Sequence, residues 1–160
     1  MRTVIATSLS VVLLVLAAAS HSEGDEDDYP HHHGALFIGA ATETRRGIEK
    51  ESELATGLEY ELRLSRYWGI GGLAELVGDD VIREFVLFLP VSFHFYDNFR
   101  LVGAPGIEFT ETEEEAVFRI GLGYEFHLQK GFTLAPEFNM DFIEDGKITY
   151  VYGLSLGKEF

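Results

Sequence analysis

The sequence contains no cysteine. Disulfides and thiolate metal sites are therefore excluded, even for an exported chain in which disulfides would be permitted. Positive charge is scarce: 12 Lys and Arg stand against 27 Asp and Glu, a formal charge of -15. That balance excludes nucleic acid as a partner and works against general adhesion to anionic surfaces. No apolar run approaches the ~20 residues that a transmembrane helix needs. No phosphate loop, dinucleotide fingerprint or paired metal-ligand spacing occurs, so no cofactor is expected.

What the chain does have begins with a leader. Arg2, the short apolar core 4–16 and Ala17-Ala18-Ala19 read as a secretory signal, residues 1–19, with cleavage as late as 22. Residues 20–33 form an arm. Its acids (Glu23, Asp25, Glu26, Asp27, Asp28) show no periodicity, so the arm is expected to be mobile. His31, His32 and His33 follow. Three imidazoles suit a low-affinity site for zinc, nickel or copper. Adjacent residues of an extended chain alternate in facing, however. A solvated tail, or polar side chains at the entrance to the first strand, is the plainer reading.

From residue 34 to 160 the pattern predicts eight strands and no helix: 34–42, 53–64, 67–77, 82–95, 99–110, 116–128, 132–142 and 148–160. Most carry large apolar residues at every second position, the period of a strand. In the second run Leu54, Leu58, Tyr60, Leu62 and Leu64 oppose Gly57, Glu59, Glu61 and Arg63. In the sixth, Phe118, Ile120, Leu122, Tyr124 and Phe126 oppose Arg119, Gly121, Gly123, Glu125 and His127. The fourth run also puts Val86 and Phe88 on its polar face, and Pro105 in the fifth suggests a bend or bulge. The first run is rich in small residues and leaves its facing open. Connectors alternate between tight (65–66, 96–98, 130–131) and longer or strongly charged (43–52, 78–81, 111–115, 143–147).

The final run sets Ile148, Tyr150, Tyr152, Leu154, Leu156, Lys158 and Phe160 on one face. The oily-face aromatics gather near strand ends. Trp68, Phe93, Phe95, Phe126, Phe132 and Phe160 lie toward the short turns; Phe85, Phe109, Phe118, Phe142 and Tyr150 lie toward the long loops. Two such belts are what the two interfaces of a bilayer select. A soluble lipocalin-like barrel with the oily face inward, binding a small apolar ligand, also alternates. The belts and the glycine-rich polar face favour the membrane.

On these grounds residues 34–160 resemble the small eight-stranded outer-membrane β-barrels of the OmpA/OmpX-like class. The resemblance implies an antiparallel up-and-down barrel in a bacterial outer membrane, both termini periplasmic, in contact with lipid and lipopolysaccharide and monomeric. It also implies that Tyr152, Leu154, Leu156 and Phe160 form the signal read by the barrel assembly machinery. Lys158 departs from the pattern, since an apolar residue is usual there.

If the oily face is outward, the lumen carries Glu59, Glu61, Glu75, Glu84, Glu108, Glu125, Glu137 and Asp141 against Arg63, Arg100 and Arg119, with His94 and His127. A cross-lumen ion-pair network that plugs the barrel is the expected arrangement, because an eight-stranded lumen is nearly filled by side chains. The surplus of acids also fits a narrow cation-preferring pore. Catalysis is not expected. Ser92 and His94 share a face with Glu84, but same-face spacing in a strand arises readily. The acidic outer loops (111–115, Asp79-Asp80, Glu144-Asp145) suit a solvated rim, or carboxylates that share divalent cations with lipopolysaccharide phosphates.

Overall fold

A computed structural model describes residues 32–45, 48–49, 52–78, 83–96, 98–110 and 113–160. The expected leader, most of the acidic arm and His31 lie outside the described residues. The strands are β1 (His32–Arg45), β2 (Ile48–Glu49), β3 (Glu53–Arg63), β4 (Trp68–Gly78), β5 (Arg83–Phe88), β6 (Val91–Phe95), β7 (Phe99–Phe109), β8 (Glu114–Tyr124), β9 (Phe126–His127), β10 (Phe132–Ile143) and β11 (Ile148–Glu159). β5 with β6, and β8 with β9, are each one stave interrupted once, and β2 is a short flap on β1. The staves form a closed eight-strand antiparallel barrel. β11 pairs with β10 on one side and β1 on the other, which closes the ring and leaves no free edge.

The first stave starts at His32, earlier than the pattern suggested, and its facing is now defined. Leu36 and Ile38 point outward, while His33, Ala35, Phe37 and Ala41 point inward. Apolar side chains on both faces hid the alternation. Elsewhere the oily face is outward throughout: Leu54, Leu58, Leu87, Leu101, Ile120, Leu122, Leu154 and Leu156 are exposed, while Glu61, Glu75, Arg100 and Arg119 are almost wholly buried. A lipocalin-like barrel needs the reverse.

The expected bulge at Pro105 does not occur. Register is constant across it, with Phe88 opposite Gly106 and Val91 opposite Gly103. The interruption falls instead on the neighbouring stave, at Leu89-Pro90. Leu89 N–H donates to the Pro105 carbonyl and Gly71 N–H to the Pro90 carbonyl, both at 2.9 Å. Neither proline has an N–H to return, so two ladder bonds are missing side by side. The break in the β8–β9 stave at Glu125 leaves the register unchanged: Gly123 lies opposite Glu137 and Phe126 opposite Leu134, and the Glu125 N–H continues the ladder to the Asn98 carbonyl at 2.7 Å.

The aromatics at the short-turn end form a connected series around the wall. Trp68 packs on Phe93, Phe93 on Phe95, Phe95 on Phe99, Phe99 on Tyr124 and Tyr124 on Phe126, with centroids 4.8–6.0 Å apart. At the loop end Phe85 stacks on Phe109. Trp68 is the sole tryptophan, so its fluorescence reports on this belt alone. Refolding into vesicles is expected to move its emission to shorter wavelength and to expose it to quenching by brominated acyl chains. Unshifted, unquenched emission would place the belt outside the bilayer.

Candidate functional site: the charged lumen

Alternation sends one residue in two inward, and in an eight-strand ring these side chains meet across the axis. A buried charge is tolerated only when paired or hydrated. The inward charges accordingly assemble into three tiers.

Nearest the short turns, Glu61 of β3 receives the Ser92 hydroxyl at 2.8 Å, faces His94 Nε2 at 2.9 Å and lies 3.3 Å from Arg63 Nε. Arg63 also donates to Glu125 at 2.9 Å and lies 3.6 Å from Glu159. Gly69, beside Glu61 on β4, makes the room: a Cβ there would lie 2.6 Å from the Glu61 carboxyl. Above it, Arg100 forks onto Glu59 and donates to Glu137 at 2.9 Å. Higher again, Arg119 of β8 grips Glu75 of β4 with two bonds of 2.9 and 2.8 Å, and Asp141 of β10 with two of 2.6 Å. Its guanidinium also lies 4.3 Å from the centre of the Phe88 ring. Two carboxylates per guanidinium occupy four of the five N–H donors of Arg119 and three of Arg100's.

Apolar side chains fill the space around these tiers. Val86, Phe88, Val102, Ala104, Val117 and Ile143 form one cluster with Leu73, and Phe37, Ala41, Ala55, Val77 and Val151 form another. At the loop mouth Lys147 donates to Glu115 at 2.8 Å and lies 3.7 Å from Asp145 and 4.0 Å from Glu108. Partial burial works against its charge. The hydrogen bond to Glu115 and the surrounding carboxylates outweigh that and hold its pKa above the ordinary lysine value.

Several expectations change here. Eight acids against three arginines looked like a wide mismatch, but Arg100 and Arg119 each hold two acids, and Lys147 supplies a base that the pattern assigned to a connector. A lysine directly after Glu144-Asp145-Gly146 was the available signal. His127 is exposed at the short-turn mouth, 3.6 Å from Glu159, rather than inside the lumen. Glu84 is half-buried toward the loop end. The histidine run divides as alternation requires. His32 is on the outer wall, 2.6 Å from the Tyr60 hydroxyl and stacked on Phe160, while His33 is buried in the lumen with Nε2 2.8 Å from Thr133 Oγ1. Among the described residues no group of three His, Cys, Asp or Glu has the geometry to hold a metal. The Ser92 hydroxyl donates to Glu61, and His94 meets that same carboxylate. The serine therefore lacks the imidazole partner that a nucleophile of this kind needs.

No protein-family model matches the chain, and a search of curated proteins finds no relative. Solved structures do match. The attachment invasion locus protein Ail of Yersinia pestis has a TM-score of 0.58 at 11% identity, covering 81% of this chain and 97% of that one. Neisserial surface protein A has a TM-score of 0.62 at 5% identity, with the same coverage of 81% and 97%. The fold is that of the small outer-membrane β-barrels. A de novo designed transmembrane β-barrel matches similarly, with a TM-score of 0.54 at 10% identity over 82% of this chain and 98% of that one. A scaffold designed as such and two natural surface proteins thus share this architecture, so function must be argued from the lumen and the rims.

Proposed function

We propose that this chain is a monomeric outer-membrane barrel with a structural, envelope-associated role, its lumen plugged by its own side chains and without catalysis. The short turns and both ends of the strand circuit face the periplasm. The closing strand, with Tyr152, Leu154, Leu156 and Phe160, is what the assembly machinery reads. The single observation that carries the plugged reading is the Arg119 clamp: one guanidinium ties staves on opposite sides of the ring, backed by the apolar cluster around Phe88.

The second reading is a narrow cation-preferring pore. The short-turn half of the lumen favours it, because His33 Nδ1 and Arg100 Nε are buried there without a hydrogen-bond partner and carboxylates outnumber guanidinium groups. Passage beyond that half would require displacing Arg119. Purified protein in a planar bilayer is therefore expected to give no steady current. Sustained cation-selective currents would favour the pore. A polysulfated ligand like the heparin analogue bound to Ail is disfavoured at the loop end, where the exposed charges among the described residues are acidic.

A further inference from the structure

The charge of the described residues is not spread evenly along the barrel axis. Among the described residues, the exposed charged side chains at the short-turn end are Arg66, His127, Lys130 and Lys158, all basic. At the loop end they are Glu53, Glu113, Glu114, Glu144 and Asp145, all acidic. Of the described acids near the short-turn rim, Glu125 is buried and bonded to Arg63, and Glu159 is half-buried and occupied by Arg63 and His127, each 3.6 Å away.

Two of the bases converge. Lys158, next to last in β11, lies directly opposite Phe132 of β10, and its Nζ lies 5.2 Å from the centre of that ring. Lys130 sits in the turn 129–131 that leads into Phe132, held with φ at +62°. Phe126, Leu128, Phe132 and Phe160 are exposed around them. An ammonium on the oily wall has one comfortable position. Its methylenes lie along the aromatic surface and its charge reaches the headgroup layer.

We infer that this short-turn rim, centred on Lys130 and Lys158, docks the phosphate of anionic phospholipid headgroups in the adjoining leaflet. Charge complementarity selects the occupant: among the described residues the exposed side-chain charges of this rim are cationic, and they are set in an aromatic belt. Lys158 stands where an apolar residue would seal the wall more cheaply, and headgroup contact gives that lysine a role. The inference rests on the membrane reading. It adds a preferred lipid class and a residue pair that recognises it.

The test uses the full chain refolded into vesicles of phosphatidylcholine mixed with phosphatidylglycerol. The lipids retained by the protein are then identified by native mass spectrometry. Phosphatidylglycerol is expected to be retained in preference, by about fivefold for each lysine, and the preference should fall as salt rises. Lys158→Leu and Lys130→Ser should each lower it by about that factor, while Glu144→Gln leaves it unchanged. Equal retention of the two lipids by the wild type overturns the proposal, as does an undiminished preference in the double variant. If Lys158→Leu does not insert, Lys130→Ser and the salt dependence of the wild type decide. Failure of the wild type to enter vesicles overturns both the membrane reading and this one; insertion without lipid preference overturns this one alone.

Discussion

Replacing Arg119 by methionine is expected to cost the folded barrel about 3–5 kcal/mol, the range for removing one partner of a buried ionic cluster. Methionine keeps most of the volume, so the loss is electrostatic. Glu75 and Asp141 would face each other at the centre of the lumen, both buried, with no counter-charge and four hydrogen bonds gone. The measurement is the midpoint of urea unfolding for protein refolded in vesicles. A triple variant, Arg119→Met with Glu75→Gln and Asp141→Asn, should recover most of the loss, because neutral amides tolerate burial better than unpaired carboxylates. An unchanged midpoint in Arg119→Met would mean that the two acids are hydrated or neutral without the arginine, and the plug would lose its main support.

The largest structural effect is expected at the seam. Gly39 of β1 pairs with Gly153 of β11. A Cβ on Gly153 would lie 2.3 Å from the Ile38 carbonyl oxygen and 2.5 Å from the Gly39 Cα; one on Gly39 would lie 2.2 Å from the Tyr152 carbonyl oxygen. These obstacles are backbone atoms, which cannot swing aside as a flexible side chain can. Gly153→Val should therefore stop the last stave from docking against the first. The readout is gel mobility with and without boiling, in which wild type shifts and Gly153→Val runs only as the unfolded species. Gly72→Val supplies the contrast. It adds the same methyl groups on the outer wall, where a Cβ would meet nothing within 4 Å, and should retain the shift. If both variants shift, the closeness of the two glycines is not what lets the ring close.

The barrel itself was legible because one face of nearly every stave is apolar and because the connectors alternate in length. Leu54 to Leu64 and Phe118 to Phe126 declare their facing on alternation alone. The first stave does not, because Phe37 inside is as apolar as Leu36 outside. The lumen was legible as a set of residues and not as a set of pairs. Nothing local links Arg119 to Glu75, which lies in a different part of the chain; stave order and vertical stagger bring them together. Lys147 was missed because a strand period stops at the strand end, while the ion-pair network continues to Glu115 across the loop mouth. Pro105 was read as a bend or bulge; that it instead leaves the register intact and removes one ladder bond required the pairing itself.

That gap has a mechanical meaning. Counting staves around the ring, the pairing of β5–β6 with β7 stands diametrically opposite the β1–β11 seam. Pro105 withholds its bond from that line, and Pro90 withholds one from the line beside it. A hoop that must close at one point bends most easily when it yields at the point facing the joint. The line that Pro105 weakens parts the wall into two groups of four staves. One bond is lost on each of two lines whose pairing is otherwise continuous, so that side of the hoop is softened and not opened.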